Sequence, residues 1–144
     1  MKHMLKLLGV LLLMTCVPTT YSSAYVIERD HGGLLKDYIE LKDRCLTEPC
    51  EIKGVCASGC TLLVNAACVH PQARLLFHGA YIGDGEQTHM GTLKLFANTS
   101  HWPQQLYDWY YAGPFHQRGA SSYTELSGAE VIAMGARSCR SSSN

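Results

Sequence analysis

The chain has 144 residues with 12 basic and 12 acidic side chains; this length fits one domain, and the even charge balance excludes a basic face for nucleic acid. Apolar residues make up 47% of the chain and charged residues 17%, which excludes an intrinsically disordered polymer. Seven cysteines are many for so short a chain, and these thiols are candidates for disulfides, metal ligands or nucleophiles.

The N-terminal segment 1–24 predicts a signal peptide. Two lysines and a histidine within residues 2–6 precede an apolar run over 7–17. That run is shorter than the ~20 residues of a membrane span, and it suits the apolar core of a signal peptide. Ser22 and Ala24 fit the small-residue positions of a cleavage site after Ala24. We therefore expect an exported protein, periplasmic or secreted, with no transmembrane span after cleavage.

A lipoprotein cleavage site before Cys16 is the alternative reading of the same segment. Met14 and Thr15 precede that cysteine, and both are bulkier than the small residues that such a site prefers. Cleavage after Ala24 is therefore favoured, and it removes Cys16 with the signal peptide.

Six cysteines remain after that cleavage: Cys45, Cys50, Cys56, Cys60, Cys68 and Cys139. An even number in an oxidising compartment predicts up to three disulfides, although six cysteines allow about 15 connectivities. The spacings contain no C-x-x-C pair, so a zinc site is the weaker reading. Cys56 and Cys60 bracket Ser58, where a disulfide would brace the turn, and Cys139 would tie the C-terminus to the body of the domain.

The first half of the mature chain alternates strands with helices. Strands are predicted over 25–27, 52–55 and 74–78 from their β-branched and apolar residues. A helix is predicted over 34–46 from the spacing of its apolar residues. A second helix, over 59–67, is apolar nearly all round and is therefore expected to be buried.

The second half begins with a glycine-rich loop, and helices are predicted around 90–97 and 103–111. A last helix is expected to start near Ser127, with Glu130 completing a capping box. Residues 141–144 read as a frayed tail. The alternation predicts one α/β domain over residues 25–140 with mostly parallel strands, flanking helices and stabilising disulfides.

Four residues lie where hydrolytic chemistry could be built. Gly33 follows the first strand, Ser58 lies between the second strand and the helix that begins at Gly59, and His78 ends the third strand. Ligands of open α/β sheets bind at that end of the strands. We therefore predict Ser58 as a nucleophile, His78 as its general base, and the amides of Gly33 and Gly59 as an oxyanion hole.

These segments resemble those of a known family. Gly32–Gly33, Cys56–Gly59, Pro71–His78 and Leu126–Val131 with Gly135 resemble, in order, motifs of the proteolytic subunit of Clp protease and its clan. The resemblance implies a small ClpP/crotonase-like fold and assigns Ser58 and His78 as nucleophile and base, with Gly33 and Gly59 as oxyanion donors. The cysteine-flanked serine is most similar to small exported members of that family.

The resemblance covers residues 25–136, but the third triad residue does not carry over. Tyr123 stands where the family has an aspartate, and loss of the acid that fixes the imidazole tautomer can cost a triad about 10⁴ in turnover. Asp108, Asp84 or Glu125 could supply the acid, or the site could be a Ser-His dyad or inactive. The chain is also shorter than the Clp subunit, without its N-terminal segment and much of the handle that joins its rings, which argues against a large barrel assembly. A homo-oligomer is expected.

The prediction is thus an exported serine hydrolase or peptidase that acts on a peptide or small ester, with no cofactor and no metal. The alternatives are an inactive binding or structural module of the cell envelope, and a metalloprotein that uses cysteines and histidines. The aromatic residues of 102–115 read as core or subunit contact, with a substrate groove as the alternative.

Overall fold

The computed structural model describes residues 23–79, 98–117 and 122–140. Its strands are β1 (Tyr25–Asp30), β2 (Cys50–Ala57), β3 (Cys68–Val69), β4 (Arg74–Phe77) and β5 (Thr124–Ser127). Its α-helices are α1 (Leu35–Thr47), α2 (Gln104–Ala112) and α3 (Gly128–Ala133), and two 3₁₀ helices cover Ser58–Asn65 and Pro114–Gln117. The proposed signal peptide up to residue 22, the helix predicted over 90–97 and the tail 141–144 lie outside these residues.

The five strands form one sheet in which β2 is central. β2 pairs in parallel with β1, β3 and β4, while β5 pairs antiparallel with β4. The prediction of an α/β domain with mostly parallel strands is therefore confirmed. β3 and β5 were not predicted, because each is too short to show a periodic apolar pattern.

Three parallel strands end at the same edge of the sheet. The pairs Asp30 with Cys56 and Ala57 with Leu76 align the carboxyl ends of β1, β2 and β4. The segments that leave this edge therefore start side by side, which is where open α/β sheets place their ligand sites.

Two helices next to this edge pack against each other. α1 buries Tyr38, Lys42 and Cys45, whose spacing of four and three residues forms one helix face. The segment 59–64 is buried throughout, as predicted, but it winds as a 3₁₀ helix. Thr61 and Val64 are β-branched, which lowers the preference of this segment for the α-helix.

The C-terminal helix α3 begins as the sequence predicts. Ser127 accepts a hydrogen bond from the backbone N–H of Glu130, and the Glu130 carboxylate accepts one from the backbone N–H of Ser127. This reciprocal capping box satisfies donors that the first turn of a helix leaves unpaired. Both bonds fix the point at which β5 turns into α3.

The six cysteines of the described residues all form disulfides, which confirms the expected three bridges. Cys45–Cys50 joins the end of α1 to the start of β2, Cys56–Cys60 spans the turn after β2, and Cys68–Cys139 ties the C-terminal segment to β3. Two bridges are local and one closes a long loop, so only the last links distant parts of the chain. Within the described ranges, no helix has the length and apolar content that crossing a membrane requires.

Candidate active site

Ser58 and His78 form a hydrogen-bonded pair at the carboxyl edge of the sheet. Ser58 follows β2 and His78 follows β4, and the Ser58 Oγ lies 2.6 Å from the His78 Nε2. That distance is within the range over which a general base takes a proton from a hydroxyl. The structure therefore brings together the two residues that the sequence singled out.

The second ring nitrogen of His78 determines its tautomer. Nδ1 lies 2.7 Å from the carbonyl oxygen of Gly79. A carbonyl oxygen can only accept, so Nδ1 carries the proton and Nε2 of the neutral ring is left as an acceptor. The Ser58 hydroxyl then donates to Nε2, which is the arrangement that a nucleophile and its general base require.

The environment of His78 favours its neutral form. The ring is partly buried, and desolvation lowers the pKa of His78 below its ordinary value, although the hydrogen bond to Gly79 opposes this shift. A lowered pKa keeps the imidazole unprotonated at neutral pH. Its Nε2 is therefore available to accept a proton at neutral pH.

The backbone of Ser58 adopts an unusual conformation. Its φ is 56°, in the left-handed region that non-glycine residues seldom occupy and that costs of order 1–3 kcal/mol. Thr61 Oγ1 donates to the Ser58 carbonyl over 2.7 Å, and the Cys56–Cys60 disulfide spans the same turn. These contacts hold Ser58 in a sharp strand-to-helix turn, a conformation that clusters at functional sites.

Gly32 makes close contact with this turn. Its φ is 83°, and a Cβ at this position would lie 2.4 Å from the Ser58 Cβ and 2.8 Å from the Ala57 carbonyl oxygen. A side chain therefore cannot fit without displacing the turn. At Gly33 a Cβ would meet, among the described residues, Tyr38 Cε2 at an ordinary 3.7 Å. Gly32, rather than the predicted oxyanion donor Gly33, is thus the residue with the strict steric requirement.

Two residues that the sequence analysis did not single out support this loop. Asp30 Oδ1 accepts hydrogen bonds from the Gly32 backbone N–H over 2.8 Å and from the Tyr38 hydroxyl over 2.5 Å. The buried ring of Tyr38 lies against Gly59, where a Cβ would be 2.5 Å from Cδ2. One side chain therefore links the loop after β1 to the residue after Ser58.

The sequence does contain one indication of the role of Asp30. It lies two residues before Gly32, which is the spacing of an Asx turn. Burial and the contact with Asp30 raise the pKa of Tyr38. The Tyr38 hydroxyl therefore remains protonated and serves as a donor to Asp30.

Tyr123 contacts the His78 imidazole from the position where the resemblance would place an acid. Its ring centroid lies 5.0 Å from that of His78, with the planes at 77°. This edge-to-face contact is a favourable arrangement of two aromatic rings. Tyr123 thus packs against the ring of His78.

The other candidate acids are placed elsewhere or lie outside the described residues. Asp108 accepts a hydrogen bond from Gln104 on the exposed face of α2. Glu125 pairs with Arg74 through two contacts of 2.7 Å, and this partner lowers the pKa of Glu125. Asp84 falls in the part of the chain that is not described. The Nδ1 partner that the structure does show is the Gly79 carbonyl rather than Asp108 or Glu125.

Tyr110, in the aromatic segment 102–115, contacts the backbone of His78. The hydroxyl of Tyr110 donates to the His78 carbonyl oxygen over 2.9 Å, and Tyr110 itself is buried against Trp102 and Phe115. Leu106 is also buried. The interpretation of this face as core is therefore confirmed.

The metalloprotein alternative depends on side chains that are already paired. Among the described residues, Glu51, His70 and Cys139 lie within ligand distance of one another. The Cys139 sulfur is bonded to Cys68, however, and a metal binds the thiolate form of cysteine. His70 Nε2 is 2.9 Å from the Glu51 carboxylate, so this cluster contains a structural His-Glu pair and a disulfide.

A pocket of about 390 Å³ opens over the Ser58–His78 pair. Its described lining also includes His31, Gly32, Gly33, Leu34 and Tyr123. The Ser58–His78 pair and the glycine loop therefore face one cavity, large enough to hold part of a small ligand.

The chain matches no protein-family model and no curated protein. The roles of Ser58 and His78 therefore depend on their geometry and on the chemistry that their surroundings allow.

Proposed function

We propose that this protein is an exported serine hydrolase that cleaves a peptide or ester bond through Ser58 and His78. The observation that carries the proposal is the 2.6 Å contact between Ser58 Oγ and His78 Nε2, with Nδ1 held by the Gly79 carbonyl. Fixing the tautomer is one of the tasks that the acid performs in a triad. The contact with the Gly79 carbonyl supports the same tautomer here.

The proposed reaction is acyl transfer to Ser58 followed by hydrolysis. Oγ attacks the substrate carbonyl carbon while its proton moves to His78 Nε2. The tetrahedral intermediate collapses, the leaving amine or alcohol takes that proton, and an acyl ester remains on Ser58. Water then gives a proton to Nε2 and attacks the ester. The carboxylic acid departs as the Ser58 oxygen recovers the proton.

The backbone amides of Gly33 and Gly59 are the proposed oxyanion donors. Gly33 lies in the lining of the pocket that contains Ser58, and Gly59 directly follows the nucleophile in the chain. Tyr38 packs against both residues, which supports a fixed geometry. Loss of one such donor typically costs about 10² to 10³ in turnover.

The proposal includes membership of the ClpP/crotonase-like clan, as a small exported form. It is supported by the order of the site residues, which follow β1, β2 and β4 at one edge of the sheet. Three disulfides support an oxidising compartment. Assembly into a homo-oligomer belongs to the same proposal and is checked by sedimentation of the mature chain.

The deciding experiment is covalent labelling of the folded protein with a fluorophosphonate and a β-lactone. We expect adduct formation at Ser58, its loss in Ser58→Ala, and its retention in Ser138→Ala as the matched control. His78→Gln should slow labelling strongly. A folded protein that neither probe labels would overturn the hydrolase proposal.

The second candidate is an inactive module that retains the fold and binds a partner. Tyr123 in contact with His78 favours it, because a tyrosine cannot neutralise the imidazolium as a carboxylate would. This candidate predicts that Ser58→Ala leaves every measured property of the protein unchanged. Labelling of Ser58 by both probes would exclude it.

A further inference from the structure

A second group of reactive side chains lies at the edge of the sheet opposite Ser58. Glu51 is near the amino end of β2, and Ser58 follows the carboxyl end of that strand. At a rise of about 3.3 Å per strand residue, the two are about 20 Å apart. Glu51, His70 and Cys139 hold their ligand atoms within 4.8 Å of one another. No step of the proposed hydrolysis uses this group.

The sheet brings a fourth side chain to the same group. Glu51 is the pairing partner of Cys68 in the parallel ladder of β2 with β3, and such partners project from the same face of a sheet. His70 lies two residues after Cys68 and so returns to that face. The Cys68 sulfur is bonded to that of Cys139. One carboxylate, one imidazole and two sulfurs are therefore neighbours.

The backbone holds Cys139 beside β3 independently of the disulfide. The Cys139 N–H donates to the Val69 carbonyl over 3.0 Å, and the Val69 N–H donates to the Arg137 carbonyl over 2.8 Å. These bonds flank a parallel bridge between Val69 and Ser138. Opening of the disulfide therefore leaves both sulfurs close to the imidazole and the carboxylate.

The Cys68–Cys139 bridge is the most accessible of the three disulfides. Cys68 is partly exposed, whereas the other five bridging cysteines are buried. Thiol–disulfide exchange depends on the access of a thiolate to a bridge sulfur. A dithiol reductant therefore reaches this bridge first.

We propose that reduction of the Cys68–Cys139 bridge converts this group into a zinc site with four ligands. The ligands are the two thiolates, His70 Nε2 and a Glu51 carboxylate oxygen, which are ligand types that zinc takes from proteins. In the redox step a dithiol protein transfers two electrons and two protons to the bridge and itself becomes a disulfide. The two thiol protons then leave as zinc binds.

The rearrangement that zinc requires is small. Ligand atoms of a tetrahedral zinc site lie about 3.3–3.8 Å apart, because the bonds are about 2.0–2.3 Å long. His70 Nε2 is 2.9 Å from Glu51 Oε2, and zinc would replace the hydrogen between these two atoms. Both side chains are partly exposed and have room to adjust. Zinc would then tie the C-terminal segment to β3 while the disulfide is open.

The test is a titration of the reduced protein with zinc chloride, below its thermal transition. Limited treatment with a phosphine reductant opens the bridge, and alkylation of a separate sample followed by mass spectrometry identifies the opened cysteines. We expect Cys68 and Cys139 to be opened first and one zinc ion to bind per reduced chain. Loss of one outer-shell partner weakens metal binding by about 10–100-fold. The oxidised protein, without both thiolates, should therefore bind at least about 10²-fold more weakly.

Cobalt and heat provide two further measurements on the same sample. Cobalt chloride should give the absorption bands of a tetrahedral thiolate site in the reduced protein and none in the oxidised protein. Zinc should raise the melting temperature of the reduced protein, because it binds the folded chain more tightly than the unfolded chain. It should leave the melting temperature of the oxidised protein unchanged.

Substitution of the two other ligands tests their assignment. Glu51→Gln and His70→Gln should each weaken zinc binding by the reduced protein at least about tenfold. Glu40→Gln, at an exposed position of α1, is the matched control and should bind as the natural chain does. Ser58→Ala should also bind normally, so this inference stands or fails independently of the hydrolase.

Replacement of cysteine pairs by alanine identifies the sulfur ligands. The Cys68/Cys139 variant should lose zinc binding, whereas the Cys45/Cys50 variant should retain it, and circular dichroism checks that both are folded. Equal zinc affinity of the reduced and oxidised proteins would overturn the proposal. Binding that persists in the Cys68/Cys139 variant would also overturn it, because the metal would then be held elsewhere.

Discussion

The ring of Tyr38 lies so close to Gly59 that a Cβ on the glycine would be 2.5 Å from the ring Cδ2. The hydroxyl of the same tyrosine donates to Asp30, which also accepts the backbone N–H of Gly32. The loop after β1 and the turn after β2 are therefore held in a fixed relation by one aromatic side chain. A pre-organised pair of oxyanion donors requires such a relation.

Removal of the Tyr38 hydroxyl should weaken that relation without removing the ring. We expect Tyr38→Phe to lower the free energy of unfolding by about 1–3 kcal/mol, since the lost bond is to a carboxylate. It should also lower kcat more than it raises KM. Tyr111→Phe, at an exposed position, is the control, and equal behaviour of the two variants would contradict the proposed role of Tyr38.

Adjacent glycines of the same loop should respond differently to alanine. Gly32→Ala places a Cβ within 2.4 Å of the Ser58 Cβ at a backbone φ of 83°, so we expect labelling of Ser58 to fall by at least 10². Gly33→Ala keeps its N–H and places the Cβ at ordinary contact distance. It should label almost as fast as the natural chain. The ratio of the two labelling rates is the measurement, and a ratio near one would show that the close approach is not required.

The site residues were predictable because their positions depend on the chain order of strands and turns. The apolar strands predicted over 52–55 and 74–78 are β2 and β4, and parallel strands place their following residues at one edge. Ser58 and His78 could therefore be paired from the sequence. Their mutual distance follows from the register of β2 with β4.

The supporting residues could not be predicted in the same way. Asp30 and Tyr38 act through contacts between the end of β1 and the face of α1, which no local pattern reveals. The positive φ of Ser58 arises from the turn that Gly32 and the Cys56–Cys60 disulfide surround. Six cysteines likewise predicted up to three bridges but not their pairing, because pairing depends on which ends the fold brings together.

Protonation of His78 at low pH should abolish the reactivity of Ser58. Protonation of Nε2 removes the acceptor for the Ser58 hydroxyl, and burial lowers the pKa of His78 from its ordinary value. We expect the labelling rate of Ser58 to be constant above about pH 6.5, the ordinary histidine pKa, and to fall only at a lower pH. A midpoint above that value would contradict the desolvation of His78.

The same shift predicts a dependence of stability on pH. The folded-state pKa of His78 is lower than the unfolded-state value, so its contribution is fully present above the unfolded-state pKa. It is lost as the pH falls from there through the folded-state pKa, because the unfolded chain then binds a proton that the folded chain does not. As the pH falls from 7 to 4, the free energy of unfolding of His78→Gln should decrease less steeply than that of the natural chain. Urea unfolding at each pH measures it.

Two of the disulfides should differ in whether they mainly affect the stability of the fold or the reactivity of Ser58. Cys68–Cys139 joins residues 71 apart in sequence, so its loss should cost about 4 kcal/mol of stability by the loop-entropy estimate. Cys56–Cys60 joins residues four apart, and the same estimate gives about 2 kcal/mol for so short a loop. The short bridge spans the turn that holds Ser58 at a positive φ. We therefore expect the Cys56–Cys60 bridge to contribute less to stability than Cys68–Cys139 does. We expect it to have the larger effect on the conformation of Ser58.

Replacement of each pair by alanine tests this separation. We expect the Cys68/Cys139 variant to have the lower melting temperature but to label Ser58 at nearly the natural rate below its transition. The Cys56/Cys60 variant should melt higher, yet label at least tenfold more slowly, because the unbraced turn lets Ser58 relax from the strained conformation. Replacement of the third pair, Cys45 and Cys50, is the matched control for loss of a short bridge away from the nucleophile. Equal labelling by the two short-bridge variants would mean that Gly32 and Thr61 hold the turn without the disulfide.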